Sequence, residues 1–200
     1  MLEDRNVCHL KAPGNWINDP NGFIYYKGKY HLFYQHFPYA PYWGTMHWGH
    51  AVSEDLVNWQ HLGVALYPSK EYDANGIFSG SAIEIDGRMI LYYTAHKYLE
   101  ENPENIHLAQ GKSLESQAMI TSEDGFFFDN INAKEQVVST IYDKEIADPH
   151  DCRDPKVFKV GAEYYMCLAS THMNEEGVLL LYKSKDGKNG SILIEYRIKS

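Results

Sequence analysis

The sequence predicts an all-β fold assembled from repeated four-stranded sheets, the blades of a β-propeller. Three observations predict it. Apolar residues alternate at period two with no long 3.6-residue periodicity, glycine-centred turns punctuate the chain, and two kinds of turn recur in phase. The first kind is a hairpin: Phe23–Phe33 around Gly28, Ala82–Tyr93 around Gly87, and Lys156–Met166 around Gly161. In each, alternating strands flank a glycine that adopts positive φ at little cost. The second is Ser-x-Asp, at Ser53 and Asp55, Ser122 and Asp124, and Ser184 and Asp186, where both side chains can accept from nearby backbone N–H groups. The intervals run from about 59 to 74 residues, room for four strands, so the 200 residues hold about three blades.

A further mark precedes each hairpin: Asp19-Pro20-Asn21-Gly22, Phe78-Ser79-Gly80-Ser81 and Arg153-Asp154-Pro155. These fall where the innermost strand of each blade begins. Innermost strands line the central channel, so polar residues at equivalent ends converge on one pocket.

Composition narrows what that pocket binds. The net charge is −9 without a Lys/Arg cluster, which argues against nucleic acid or an anionic membrane surface as partner. Aromatic residues make up 14% of the chain, and Tyr and Trp suit both inter-sheet packing and stacking on the C–H faces of sugars. Met1–Arg5 carries two acids and no apolar stretch, and Cys8, Cys152 and Cys167 have no metal-ligand spacing. A cytoplasmic chain with reduced thiols is expected. His31 with His36, and His47 with His50, have offsets that favour packed or exposed rings over metal ligands; no metal or cofactor is expected.

Asp19 and Asp154 are expected to face each other across the channel. Paired carboxylates suit a cationic, oxocarbenium-like transition state such as that of glycoside hydrolysis. Arg153 would keep Asp154 ionised or grip substrate hydroxyls, and Trp16, Trp43 and Phe78 would form an apolar wall.

The runs Trp16–Gly22, Phe33-Tyr34-Gln35, Trp43–Trp59, Phe78–Ser81 and Arg153-Asp154-Pro155 together resemble the N-terminal part of glycoside hydrolase family 32, the β-fructofuranosidases. The resemblance spans roughly residues 9 to 186. It implies a five-bladed propeller with a C-terminal β-sandwich, and retaining hydrolysis of terminal β-fructofuranosyl units in sucrose, sucrose 6-phosphate or fructan. By position, it implies Asp19 as nucleophile and Asp154 as transition-state stabiliser. Asn18, Gln35, Trp43, Phe78, Ser79 and Arg153 match positions lining the fructose site.

The resemblance also implies a general acid, a Glu in a Glu-Cys dipeptide, and this chain has none: its cysteines follow Val7, Asp151 and Met166. Glu163, Glu175, Glu176 and Glu195 do not match that motif. After Asp55 come Leu56 and Trp59, which would anchor a turn between sheets, whereas the same offsets after Asp186 hold Gly187 and Gly190. The expected organisation is therefore a partial propeller over 1–186, a divergent tail over 187–200, and no β-sandwich. Three blades leave an open edge, so a homo-oligomer is expected, with weak or absent hydrolysis. The alternative is a non-catalytic carbohydrate-binding propeller fragment. A more distant one is an arabinanase-like or xylosidase-like five-bladed relative.

Overall fold

In the computed structural model, which describes residues 9–109, 111–172 and 176–198, the chain forms three four-stranded antiparallel sheets, as the periodicity predicts. Met1–Arg5, Cys8 and Glu175 lie outside the described residues. The first sheet is β1 (Trp16–Tyr26), β2 (Lys29–Phe37), β3 (His47–Ser53) and β4 (Trp59–Leu66). The second is β5 (Gly76–Ile85), β6 (Arg88–Tyr98), β7 (Ser113–Ser122) and β8 (Lys134–Val138). The third is β9 (Cys152–Val160), β10 (Glu163–Thr171), β11 (Gly177–Ser184) and β12 (Gly190–Ile198). Spatial order follows chain order in all three, which is the meander of a propeller blade.

The first strands β1, β5 and β9 are sheet edges that pack against one another in succession. An edge strand tolerates proline because it has ladder partners on one side only, which explains how Pro20 and Pro155 sit within β1 and β9. Two apolar layers join the sheets. Between the first and second lie Tyr26, Phe33, Trp48, Leu66, Leu91 and Tyr93; between the second and third lie Ile90, Tyr92, Met119, Val157, Leu168 and Leu180. The connection from β4 to β5 is tied to β8 by a fully buried ion pair, Lys134 Nζ to Asp73 Oδ2 at 2.7 Å, with the Tyr93 hydroxyl donating to the same carboxylate oxygen.

Each Ser-x-Asp turn joins the third and fourth strands of its sheet. Asp55 Oδ1 accepts from the backbone N–H groups of Val57 and Asn58, Asp124 Oδ1 from Phe126 and Phe127, and Asp186 Oδ1 from Lys188 and Asn189. These donors hold all three carboxyls below the usual carboxylate range.

The residue after each Asp is left-handed: Leu56 at φ 65°, Gly125 at 80° and Gly187 at 78°. A Cβ on Gly125 would meet the Tyr26 ring at 2.9 Å, and one on Gly187 would meet Ile85 Cδ1 at 2.6 Å. The second and third turns tuck under the preceding sheet, while the first packs under no sheet among the described residues and leaves Leu56 47% exposed. The expectation that Leu56 is an inter-sheet anchor lost at Gly187 is therefore corrected: the packed position is the one that demands glycine. The tail boundary is corrected as well. Residues 190–198 pair with β11 from Gly177 to Ser184 and complete the third sheet.

Candidate active site

The eight residues singled out from the sequence line one open cleft of about 340 Å³: Asn18, Asp19, Gln35, Trp43, Phe78, Ser79, Arg153 and Asp154. They come from all three sheets. Asn18 and Asp19 lie on β1, Gln35 on β2, Phe78 and Ser79 on β5, and Arg153 and Asp154 on β9, with Trp43 on the loop between β2 and β3. Each first strand breaks register beside its site residues. β1 shifts between Ile17 and Pro20, β5 between Ile77 and Gly80, and β9 where Asp154 and Pro155 lie opposite Leu168. Such bulges re-aim side chains that a regular strand would alternate between the two faces.

Hydrogen bonds fix the donors and acceptors. The Ser79 hydroxyl donates to Asp19 Oδ2 at 2.7 Å, and Gln35 Nε2 donates to Ser79 Oγ at 3.4 Å and to the Ile77 carbonyl at 3.0 Å. Trp43 and Phe78 meet edge to face at 5.9 Å, and Phe78 stacks at 4.1 Å on the buried ring of His96. Trp16, expected in the apolar wall, is not among the cleft-lining residues; its indole N–H donates to Asn18 Oδ1 at 2.8 Å and orients that side chain.

Of the two roles expected for Arg153, holding Asp154 ionised is met only in part. Its Nη2 lies 3.0 Å from Asp151 Oδ1, while its Nε lies 3.9 Å from Asp154 Oδ2. Burial pushes the Asp154 carboxyl above the usual carboxylate range; Asp19, Glu115 and Asp151 add to the rise, and Arg153 only partly offsets it. The cleft therefore pairs one carboxylate gripped by a hydroxyl donor with a second that burial raises above the usual carboxylate range.

His31, His36, His47 and His50 are all buried within the first sheet, and His31 Nδ1 lies 3.0 Å from His50 Nε2. Among the described residues no group of three or more His, Cys, Asp or Glu could hold a metal ion, and Cys152 and Cys167 are free thiols. No helix among them is long and apolar enough to cross a membrane.

Residues 9–196 match the model of the glycosyl hydrolases family 32 N-terminal domain. The chain belongs to that family. The family 32 match extends into β12, to residue 196, in agreement with its place in the third sheet. Among relatives, a raffinose invertase of Escherichia coli is 40% identical over 88% of this chain and 34% of its own length. A sucrose-6-phosphate hydrolase of Zymomonas mobilis is 39% identical over 90% of this chain and 34% of its own. The family 32 chain thus spans about a third of the length of these relatives. A Bombyx mori GH32 β-fructofuranosidase superposes with a TM-score of 0.77 at 38% identity, over 96% of this chain and 38% of that one. A fructan 1-exohydrolase of Cichorium intybus, solved with 1-kestose, gives 0.74 at 30% identity, over 94% and 34%.

The residues that sequence reasoning passed over are those behind the cleft wall. Trp48 donates from its indole to the Phe78 carbonyl, Asn21 accepts the Gly80 N–H, and Thr94, Glu115 and Gln117 hold the start of β9. A signal existed. Gln35 and Thr94 are each the seventh residue of their second strand, and Trp48 and Gln117 each stand five before the turn serine.

Proposed function

We propose that this chain carries the fructose-binding face of a retaining β-fructofuranosidase site, with sucrose, its 6-phosphate or a fructan as substrate class. The observation that carries the reading is the cleft itself, in which two carboxylates, an arginine and two aromatic rings from three sheets converge. In this reading the Asp19 carboxylate attacks the anomeric carbon. The glycosidic C–O bond breaks, a fructosyl ester forms, and the leaving oxygen takes a proton from a general acid. The hydroxyl donated by Ser79 aims the attacking carboxylate. Asp154 and Arg153 grip the ring hydroxyls as positive charge builds on the sugar.

The chain contains no Glu-Cys dipeptide. Loss of a general acid costs about 10² to 10⁴ in rate. That favours a second reading for the chain by itself, sugar binding with little turnover. One comparison tests both: hydrolysis of sucrose or an aryl fructoside, and calorimetric binding of fructose and sucrose, by this protein and by Asp19→Ala. Turnover abolished by the substitution supports the enzyme. Binding without turnover supports the binding module, and neither would overturn the reading of the cleft.

The same proposal includes association with a second copy. Phe23 and Tyr25 on the first sheet, and Leu179 on the third, are exposed on strands that also carry buried residues, and Tyr196 is exposed on β12. Light scattering at micromolar protein is expected to show a dimer or larger species; a clean monomer contradicts it.

A further inference from the structure

Asp154 is held in a conformation it would not choose. Its φ is 62°, in the left-handed region that a residue with a Cβ rarely adopts, and it precedes Pro155, which drives the preceding residue toward extended backbone. Strain of this kind persists only where the surroundings over-determine it, and it concentrates at functional sites. The surroundings here are side chains of the second sheet. Thr94 Oγ1 accepts the Asp154 N–H at 2.9 Å and donates to Gln117 Oε1 at 2.8 Å. Gln117 Nε2 in turn donates to the Cys152 carbonyl at 2.8 Å, and Glu115 Oε2 accepts the Cys152 N–H at 3.1 Å. Thr94, Gln117 and Glu115 are all essentially buried, and none of them lines the cleft.

We propose that Thr94, Gln117 and Glu115 are positioning residues that grip three backbone groups of Cys152–Asp154 from the neighbouring sheet and so fix the direction of the Asp154 carboxylate. The three side chains come from adjacent strands, β6 and β7, and the bonds form a chain with both ends on the same short stretch of β9. Removing any link leaves a backbone group of Cys152–Asp154 without its partner and frees Asp154 to relax toward the extended region. The inference rests on the sugar-site reading for its consequence and on backbone geometry for its substance.

The test uses Thr94→Val, which keeps the shape and loses the hydroxyl, and Thr94→Ser, which keeps the hydroxyl. Two quantities are read: hydrogen exchange of the Asp154 amide by NMR and sucrose affinity by calorimetry. Thr94→Val is expected to abolish protection of that amide and to weaken sucrose binding by about tenfold, the size of one lost hydrogen bond, while Thr94→Ser retains both. A Thr94→Val protein with the amide still protected, or with unchanged affinity, overturns the proposal. Should Thr94→Val not fold, Gln117→Glu keeps the acceptor for Thr94 and removes the donor to Cys152. It is expected to deprotect the same amide, and unaltered exchange there overturns the proposal. If the unsubstituted protein binds no sucrose, the sugar-site reading fails and the amide measurement decides the positioning claim alone.

Discussion

The joint between the first and second sheets and the joint between the second and third solve the same problem with different chemistry. At both, a cross-strand pair on the second and third strands of one sheet holds the first strand of the next. In the first joint the pair is Gln35 opposite Trp48, bonded to the carbonyls of Ile77 and Phe78. In the second it is Thr94 opposite Gln117, bonded to the Asp154 N–H and the Cys152 carbonyl. The first joint is packed with aromatic rings and binds two neighbouring carbonyls of β5. The second, richer in aliphatic and Met side chains, binds a strained segment that carries a cleft carboxylate. The matching pair on the third sheet is Ala169 opposite Leu179, apolar and exposed. A fixed structural position thus supports the cleft through an aromatic layer in the first joint and through a polar chain in the second, and carries an exposed apolar pair on the third sheet.

Truncating the two buried clamps separates these roles. Trp48→Ala removes a fully buried ring and is expected to cost about 3–5 kcal/mol in urea denaturation. Gln117→Ala removes hydrogen bonds more than volume and is expected to cost about 1–3 kcal/mol. Equal costs would mean that the joints do not differ as described. At the turn position the sign should reverse between sheets. Gly187→Ala forces a Cβ into the left-handed region and against Ile85 and should destabilise by about 2 kcal/mol, whereas Leu56→Gly at the exposed first turn should stabilise by about 1 kcal/mol. The same sign at both positions would contradict the packing difference.

The last comparison is in pH. Burial holds His31, His47, His50 and His61 below the ordinary histidine value of about 6.5, with His50 down to about 3. The unfolded chain therefore takes up more protons below pH ~6.5. Stability is retained above that pH and falls as the pH drops toward the folded values. All four lie in the first sheet. Hydrogen exchange at pH 5 against pH 7.5 should loosen the first sheet before the third, and uniform loosening would count against the localisation.

The sheets and the cleft residues were legible because they depend on local chemistry. Glycine turns set the hairpins, Ser-x-Asp set the turns between third and fourth strands, and the first-strand marks placed Asp19, Ser79 and Asp154 in register. The differences have two origins. Gly187 is fixed by the neighbouring sheet, which its own sequence context does not reveal, whereas Trp16 and Arg153 turn to partners two residues away and residues 190–198 add a strand to their own sheet. Gly187 packs under Ile85 and Tyr92, and Trp16 bonds to Asn18 beside the cleft. Arg153 turns to Asp151, and β12 completes the third sheet. Thr94 and Gln117 share the situation of Gly187: their position in the repeat marks them, but nothing in a strand's own alternation shows that the next sheet carries a left-handed residue needing a partner.

The central claim is that the three sheets together present one sugar site at Asp19 and Asp154. An NMR titration of the ¹⁵N-labelled protein with sucrose tests it most directly. The account predicts saturable shifts confined to the amides of Asn18, Asp19, Ser79, Arg153 and Asp154 and their neighbours, lost in Asp19→Ala. Shifts elsewhere on the surface, or none at saturating sugar, would contradict it.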